Sequence, residues 1–219
     1  MDDRAMLDAR QRDVDRALAK IETEFREGWE LLAGLDSPAV TVFGSARTAE
    51  TAPAYSAARR IGGRFAERGW AVITGGGPGV MEAANRGAQE SGGVSVGLGI
   101  ELPHEQALNP YVDLAYTFEH FYARKVCFVK PAEGFIVCPG GFGTLDELFE
   151  ALVLMQTGKV GMDPVVLFDS AYWGGLLDWI RGRLLEDGMI SPADLDLYHL
   201  TDDPIDAADF VIDRYASRS

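Results

Sequence analysis

Apolar side chains at Met6, Leu7, Val14, Ala17, Leu18, Ile21, Phe25, Trp29 and Leu32 recur about every 3.6 positions among alternating charges. This spacing predicts one long amphipathic helix over residues 4–33. Gly34 and the Ser37-Pro38 pair stop it, and the apolar run Ala39 to Phe43 reads as a buried strand ending at Gly44-Ser45. From there helices and short continuous apolar runs alternate. Helices are predicted at 53–68, 79–91, 119–130, 144–157, 171–187 and 204–216. Strands are predicted at Trp70–Thr74, Val94–Ile100, Gly134–Cys138 and Pro164–Phe168, with a short extended segment near 114–118. A polar connection from Glu101 to Ala115 carries turns at Leu102-Pro103 and Asn109-Pro110. Continuous apolar strands spaced by helices require cover on both faces. The expected fold is therefore α/β: a Rossmann-like, doubly wound parallel sheet with helices on both faces and an N-terminal helical extension. Residues 1–36 are expected to form that extension and 37–219 the Rossmann-like domain.

Composition narrows the class. The 219 residues are 47% hydrophobic and 25% charged, ordinary for one globular domain. Lys and Arg number 20 against 34 Asp and Glu, a net of −14, which argues against binding a nucleic acid polymer or an anionic membrane surface. The excess lies at the ends. Residues 1–36 hold 6 basic and 10 acidic residues, net −4, and residues 186–219 hold 2 and 9, net −7. The segment 120–147 balances Arg124, Lys125 and Lys130 against Glu133, Asp146 and Glu147, so a single small anion stays compatible with the chain. No apolar stretch is long enough to span a bilayer and the start lacks signal-peptide order, so the expected location is the cytosol. Cys127 and Cys138 form no CxxC pair and are expected as buried small hydrophobes. His104, His120 and His199 lack ligand spacing, so neither disulfide framework nor metal site is expected.

Glycine is enriched, at 25 of 219 residues, about 11% against the usual 7%. Two clusters follow strands and open helices: Thr74-Gly75-Gly76-Gly77-Pro78-Gly79 and Pro139-Gly140-Gly141-Phe142-Gly143-Thr144. Such turns let backbone N–H groups approach a phosphate at the positive end of a helix. In a doubly wound sheet both would lie beyond the carboxyl ends of strands, where ligands bind. Neither cluster is a dinucleotide fingerprint or a P-loop, and Lys125 has no recognisable pyridoxal phosphate site around it, so no cofactor is expected. Taken alone, several residues fit plain structural roles equally well. Asp146, Glu147 and Glu150 suit helix-dipole stabilisation, and Arg124-Lys125 suits a solvated helix face. Glu82 fits either a dipole role or a ribose or base contact. Ser45 and Arg47 suit a cap and surface charge as well as a phosphate contact, Met81 and Met155 suit the core, and His120 suits a helix cap.

Together these segments resemble the LONELY GUY (LOG) family. The similarity is carried by Gly75-Gly76-Gly77-Pro78-Gly79-Val80-Met81-Glu82-Ala83-Ala84-Asn85, by Arg124-Lys125, and by Pro139-Gly140-Gly141-Phe142-Gly143-Thr144-Leu145-Asp146-Glu147, which fits PGGxGTxxE. It spans residues 38–213, and the N-terminal helix resembles that of the longer bacterial members. The resemblance implies cofactor-free hydrolysis of the N-glycosidic bond of a nucleoside 5′-monophosphate, a cytokinin riboside monophosphate or AMP, to free base and ribose 5-phosphate. It assigns Arg124 and Glu147 as catalytic. Glu82, Lys125, Gly140, Gly141, Phe142, Gly143, Thr144, Leu145 and Asp146 become substrate-binding, and Ser45, Gly76 and Gly77 join them from the same edge. It also implies a homodimer or higher homo-oligomer, for which the apolar stripe Phe25, Trp29, Leu32 offers a surface unless the core covers it. The competing class is a non-catalytic nucleotide or phospho-ligand carrier of Rossmann-like fold, which has no need of a carboxylate beside the anion.

Overall fold

Strands buried on both faces must be covered twice, and the chain does this with a three-layer α/β/α arrangement. The computed structural model describes residues 11–102, 107–161 and 163–218. Its elements are α1 (Gln11–Ala33), β1 (Ala39–Phe43), α2 (Pro53–Glu67), β2 (Ala71–Thr74), α3 (Val80–Glu90), β3 (Ser95–Ile100) and β4 (Leu114–Phe118). After these come α4 (Phe121–Val129), β5 (Ala132–Val137), α5 (Phe142–Gln156), β6 (Val165–Phe168), α6 (Ser170–Trp179), β7 (Tyr198–Thr201) and α7 (Pro204–Ala216). Seven parallel strands run in the order β4-β3-β2-β1-β5-β6-β7. The winding therefore reverses between β1 and β5, and the crevice beyond their carboxyl ends is the place such sheets reserve for ligands.

Side chains alternate across the sheet into two cores. One holds Phe43, Ile73, Leu98, Phe135 and Leu167 under α1, α4, α5 and α6, and the other holds Val40, Val42, Val72, Ile136 and Val166 under α2, α3 and α7. Trp173, 1% exposed, pins α6 to the sheet by donating its ring N–H to the Val137 and Phe168 carbonyls. Helices α2 and α3 approach so closely that a Cβ on Gly87 would stand 1.9 Å from the Arg59 carbonyl oxygen. Backbone cannot give way as a side-chain end can, so Gly87→Ala is expected to destabilise the fold by about 3 kcal/mol. That is a fall of roughly 6–12 °C in Tm for a chain this long. A thermal melt within 2 °C or so of wild type would refute the tight approach.

The predicted strands and helices match in order, with boundary shifts of a few residues. Strand β7 was not anticipated. Tyr-His-Leu-Thr has no apolar run, and as an edge strand all four residues stay half-exposed. The helix expected over 171–187 is α-helical only to Trp179 and continues as a π-helical turn over Ile180–Leu185. A short 3₁₀ segment, Pro192–Leu197, then leads into β7. The expected helix over residues 4–33 appears from Gln11 onward. Its first part, with Met6 and Leu7, lies outside the described residues, as do Pro103 and His104. Of the apolar stripe on α1, Leu32 is buried and Phe25 half-buried against the core, whereas Trp29 is 47% exposed. Cys127 and Cys138 are free and buried. Among the described residues, no helix is long and apolar enough to cross a membrane, and no group of His, Cys, Asp or Glu is arranged to hold a metal ion.

Candidate active site

The switch point opens into a cleft of about 1450 Å³. Both glycine turns line it, as do Ser45, Arg47, Met81, Arg124, Glu147 and Tyr172, with Ile100, Leu102 and Leu108 forming an apolar side. Ser45 ties the three strand ends together. Its N–H donates to the Pro139 carbonyl, its carbonyl accepts from Val80 N–H, and its hydroxyl accepts from Arg47 N–H. Ser45 therefore caps no helix, since the next one begins at Pro53 with Ala52 at its N-cap; its hydroxyl closes a local turn at the lip of the cleft.

The first glycine turn is built on a buried polar network. Thr74 donates its hydroxyl to Asn85 Oδ1 and accepts from Gly76 N–H, and Asn85 donates to Ser95 Oγ. Asn109, 6% exposed, donates from Nδ2 to the Gly76 and Gly77 carbonyls and to Asn85 Oδ1. Along the sequence Asn109 marks only a turn before Pro110. Its role depends on a loop folding back 33 residues along the chain, which no local pattern reports. Gly76 itself has φ +70°, and a Cβ there would stand 2.4 Å from Leu108 Cδ2, so glycine is needed on both counts.

The second turn is held from outside by Tyr172, whose hydroxyl donates to the Gly140 carbonyl. Thr144 is buried and packs its side chain against the Gly140 backbone. The first helical hydrogen bond of α5 runs from Leu145 N–H to the Gly141 carbonyl. The N–H groups of Phe142, Gly143 and Thr144 therefore have no partner within the helix and suit an anion. Phe142 is 91% exposed at the mouth of the cleft.

Because α5 begins at Phe142, two residues before the expected start, Asp146 and Glu147 stand in its second turn. The helix-dipole reading of the acidic cluster is corrected accordingly, since the dipole acts within the first turn. The cluster has other partners. Lys125 Nζ lies 2.9 Å from Asp146 Oδ1 and 2.8 Å from Glu150 Oε2. Burial opposes the Lys125 charge, but Glu150 and Asp146 outweigh it and hold its pKa above the usual range. Glu147 faces the cleft with 8% of its surface exposed, and its Oε2 is buried without a hydrogen-bond partner. Burial pushes its carboxyl up to about 7, against the pull of Lys125 and Arg124 and with the push of Glu150 and Asp146.

Arg124 is not on a solvated face either. Its Nε donates to the Leu98 carbonyl at 2.7 Å, its Nη2 reaches the Gly75 carbonyl at 3.4 Å, and its guanidinium lies 4.8 Å from the Phe128 ring centroid. Burial lowers it to about 10, opposed by Glu147, so it remains charged at neutral pH. Arg124 and Glu147 thus act on each other's charge across the cleft that carries both glycine turns.

Two residues assigned by resemblance do not line this cleft. Lys125 pairs with Asp146 at its edge and with Glu150. Glu82 accepts a hydrogen bond from Tyr55, whose hydroxyl burial and Glu82 together push up to about 12. Conversely, Met81 lines the cleft and is not a core residue, while Met155 is buried as expected. The His120 side chain caps nothing; it turns instead to Glu24. Tyr172 has no signal in the sequence, because its position depends on how Trp173 seats α6.

The family model described as possible lysine decarboxylase matches residues 81–211. The chain is similar to a cytokinin riboside 5′-monophosphate phosphoribohydrolase of Mycobacterium tuberculosis, 34% identical over 157 residues that cover 68% of this chain and 81% of that one. A protein of the same name from Mycobacterium marinum is 31% identical over 67% of this chain and 79% of its own. Among solved structures, TM1055 superposes with a TM-score of 0.60 at 26% identity, covering 80% of this chain and 98% of that one. The Moco carrier protein of Chlamydomonas reinhardtii does so with a TM-score of 0.58 at 26% identity, covering 83% and 99%. Motif order, sheet topology and sequence likeness converge, and the chain belongs to the LONELY GUY family, the group covered by the possible lysine decarboxylase model.

Proposed function

We propose that this chain hydrolyses the N-glycosidic bond of nucleoside 5′-monophosphates, a cytokinin riboside 5′-monophosphate or AMP, giving free base and ribose 5-phosphate. The observation that carries the reading is Glu147: a cleft-facing carboxyl with a buried, unpartnered oxygen, about one helical turn beyond N–H groups suited to phosphate and within electrostatic reach of Arg124. Similarity to the mycobacterial phosphoribohydrolases supports it.

In the proposed reaction the phosphate binds the N–H groups at the start of α5, with Ser45 and the Gly76-Gly77 turn completing the walls. The C1′–N bond breaks and its electron pair leaves with the base, which picks up a proton from solvent. The positive charge growing on C1′ and the ring oxygen is stabilised by the Glu147 carboxylate, which then takes a proton from the attacking water as its oxygen bonds to C1′. Arg124 orients Glu147 or the ribose and balances charge, a guanidinium being a poor proton donor. Phe142 and the apolar side of the cleft face the leaving base.

Incubation of purified protein with AMP and with isopentenyladenosine monophosphate tests the reading. Release of base with stoichiometric ribose 5-phosphate is expected from at least one. Binding without release from these or other nucleoside monophosphates would favour the carrier class, to which the likeness to the Moco carrier points. Since the carboxylate is the working form, kcat/KM is expected to fall tenfold per unit as pH drops below about 7. A limb nearer 6 would belong to the substrate phosphate instead.

The same reading takes residues 37–219 as the catalytic unit and 1–36 as its extension, acting as a homodimer or higher homo-oligomer in the cytosol. Exposed Leu18, Trp29 and Phe121 support an assembly surface.

A further inference from the structure

We infer that Glu24, from the N-terminal helix, is a positioning residue for Arg124, and that α1 thereby serves catalysis as well as cover. Helix α4 begins without a side-chain cap of its own, its N-cap position being His120. Glu24 instead holds the segment that enters the helix, from a distance of about 95 residues in sequence. Its Oε1 accepts Glu119 N–H at 2.9 Å, and its Oε2 accepts His120 N–H at 3.3 Å and faces His120 Nδ1 at 3.0 Å. Glu24 and His120 are 3% and 5% exposed. A carboxylate that accepts two consecutive backbone N–H groups at a helix entry, out of water, is a strong charge-assisted contact.

The pair acts on the site through one turn of helix. The His120 carbonyl accepts the N–H of Arg124, so the frame that Glu24 holds is the frame from which the guanidinium reaches Leu98 and Gly75. Lys20 pairs with Glu119 and Tyr116 donates to Glu27, so α1 grips this corner at three points. The far end of α4 is held independently, by the Thr41 hydroxyl on the Phe128 carbonyl. Loss of Glu24 therefore frees the end that aims Arg124 and leaves the helix seated. The phosphate contacts lie on α5 and are untouched.

The inference rests on the proposed hydrolysis, and two readouts keep their failures apart. In Glu24→Ala, kcat is expected to fall about tenfold with KM within about twofold, because chemistry depends on Arg124 and anchoring does not. Glu24→Gln keeps one oxygen acceptor for Glu119 N–H and is expected to recover kcat to within about threefold of wild type. Leu32→Ala, at the other end of α1 and buried, loosens the helix without touching the pair, and is expected to lower Tm with kcat unchanged. Hydrogen exchange of peptides spanning residues 118–124 is expected to accelerate in Glu24→Ala and not in Leu32→Ala. Unchanged kcat in Glu24→Ala, or an equal kcat loss in Leu32→Ala, overturns the inference. If the wild type releases no base from any nucleotide, the hydrolysis reading falls, and the exchange measurement alone decides whether Glu24 holds the start of α4.

Discussion

Replacing Glu147 by glutamine is expected to lower kcat on nucleoside monophosphates about 10³-fold while making the protein more stable at alkaline pH. The two effects have one origin. Folding places this carboxyl where its neutral form is favoured, raising its pKa from the ordinary 4.5 to about 7, chiefly by burial. Below about 4.5 the group is protonated whether folded or unfolded, so glutamine and glutamate are equivalent. Between 4.5 and 7 only the unfolded chain releases the proton freely, and wild-type stability declines with rising pH. Above 7 the full difference is reached, about 3 kcal/mol for a shift of this size. Denaturant unfolding of both proteins at pH 4.5 and pH 8 measures it. Coincident stabilities at both values would mean that the carboxyl is not held up, and near-normal turnover would remove it from the reaction.

Arg124→Ala is expected to lower kcat about 10²- to 10³-fold and to cost about 1–3 kcal/mol of stability, because the Leu98 carbonyl loses a close donor and the Gly75 carbonyl a longer one. Lysine is no rescue, since an ammonium cannot span those two carbonyls while lying over the Phe128 ring. Arg124 also pulls the Glu147 pKa down. The residual activity of the alanine variant should therefore show its acid limb displaced above 7. A full rate, or a limb that stays in place, would separate Arg124 from Glu147 and refute their pairing.

Much of this was legible along the chain. The alternation of apolar runs with helical periodicity predicted the order of nearly every element, because each run reports only whether it is covered on one face or two. The glycine clusters marked the sheet edge at which the cleft opens, since turn chemistry is local. Other features had no local signal. Helix α5 starts at Phe142-Gly143, where glycine reads as loop, so the acidic cluster appeared one turn too early. Strand β7 is too short and half-exposed to stand out. Met81 shares its helix face with core residues yet opens onto the cleft, and Asn109, Tyr172 and Glu24 act on segments far away in sequence.

By itself, then, the amino-acid sequence determined the α/β class, the parallel sheet and the two phosphate-suited turns, and its resemblance to a known family singled out Arg124 and Glu147. The tertiary structure alone decided which of three carboxylates in one short stretch is buried without an ion-pair partner. Asp146 and Glu150 share Lys125 of α4 as an ion-pair partner, while Glu147 turns inward and loses water on one oxygen. Propensity, periodicity and turn chemistry are properties of a few consecutive residues. Desolvation and charge pairing depend on groups drawn from α4, β2, β3 and α5 at once, and those meet only when the sheet has closed.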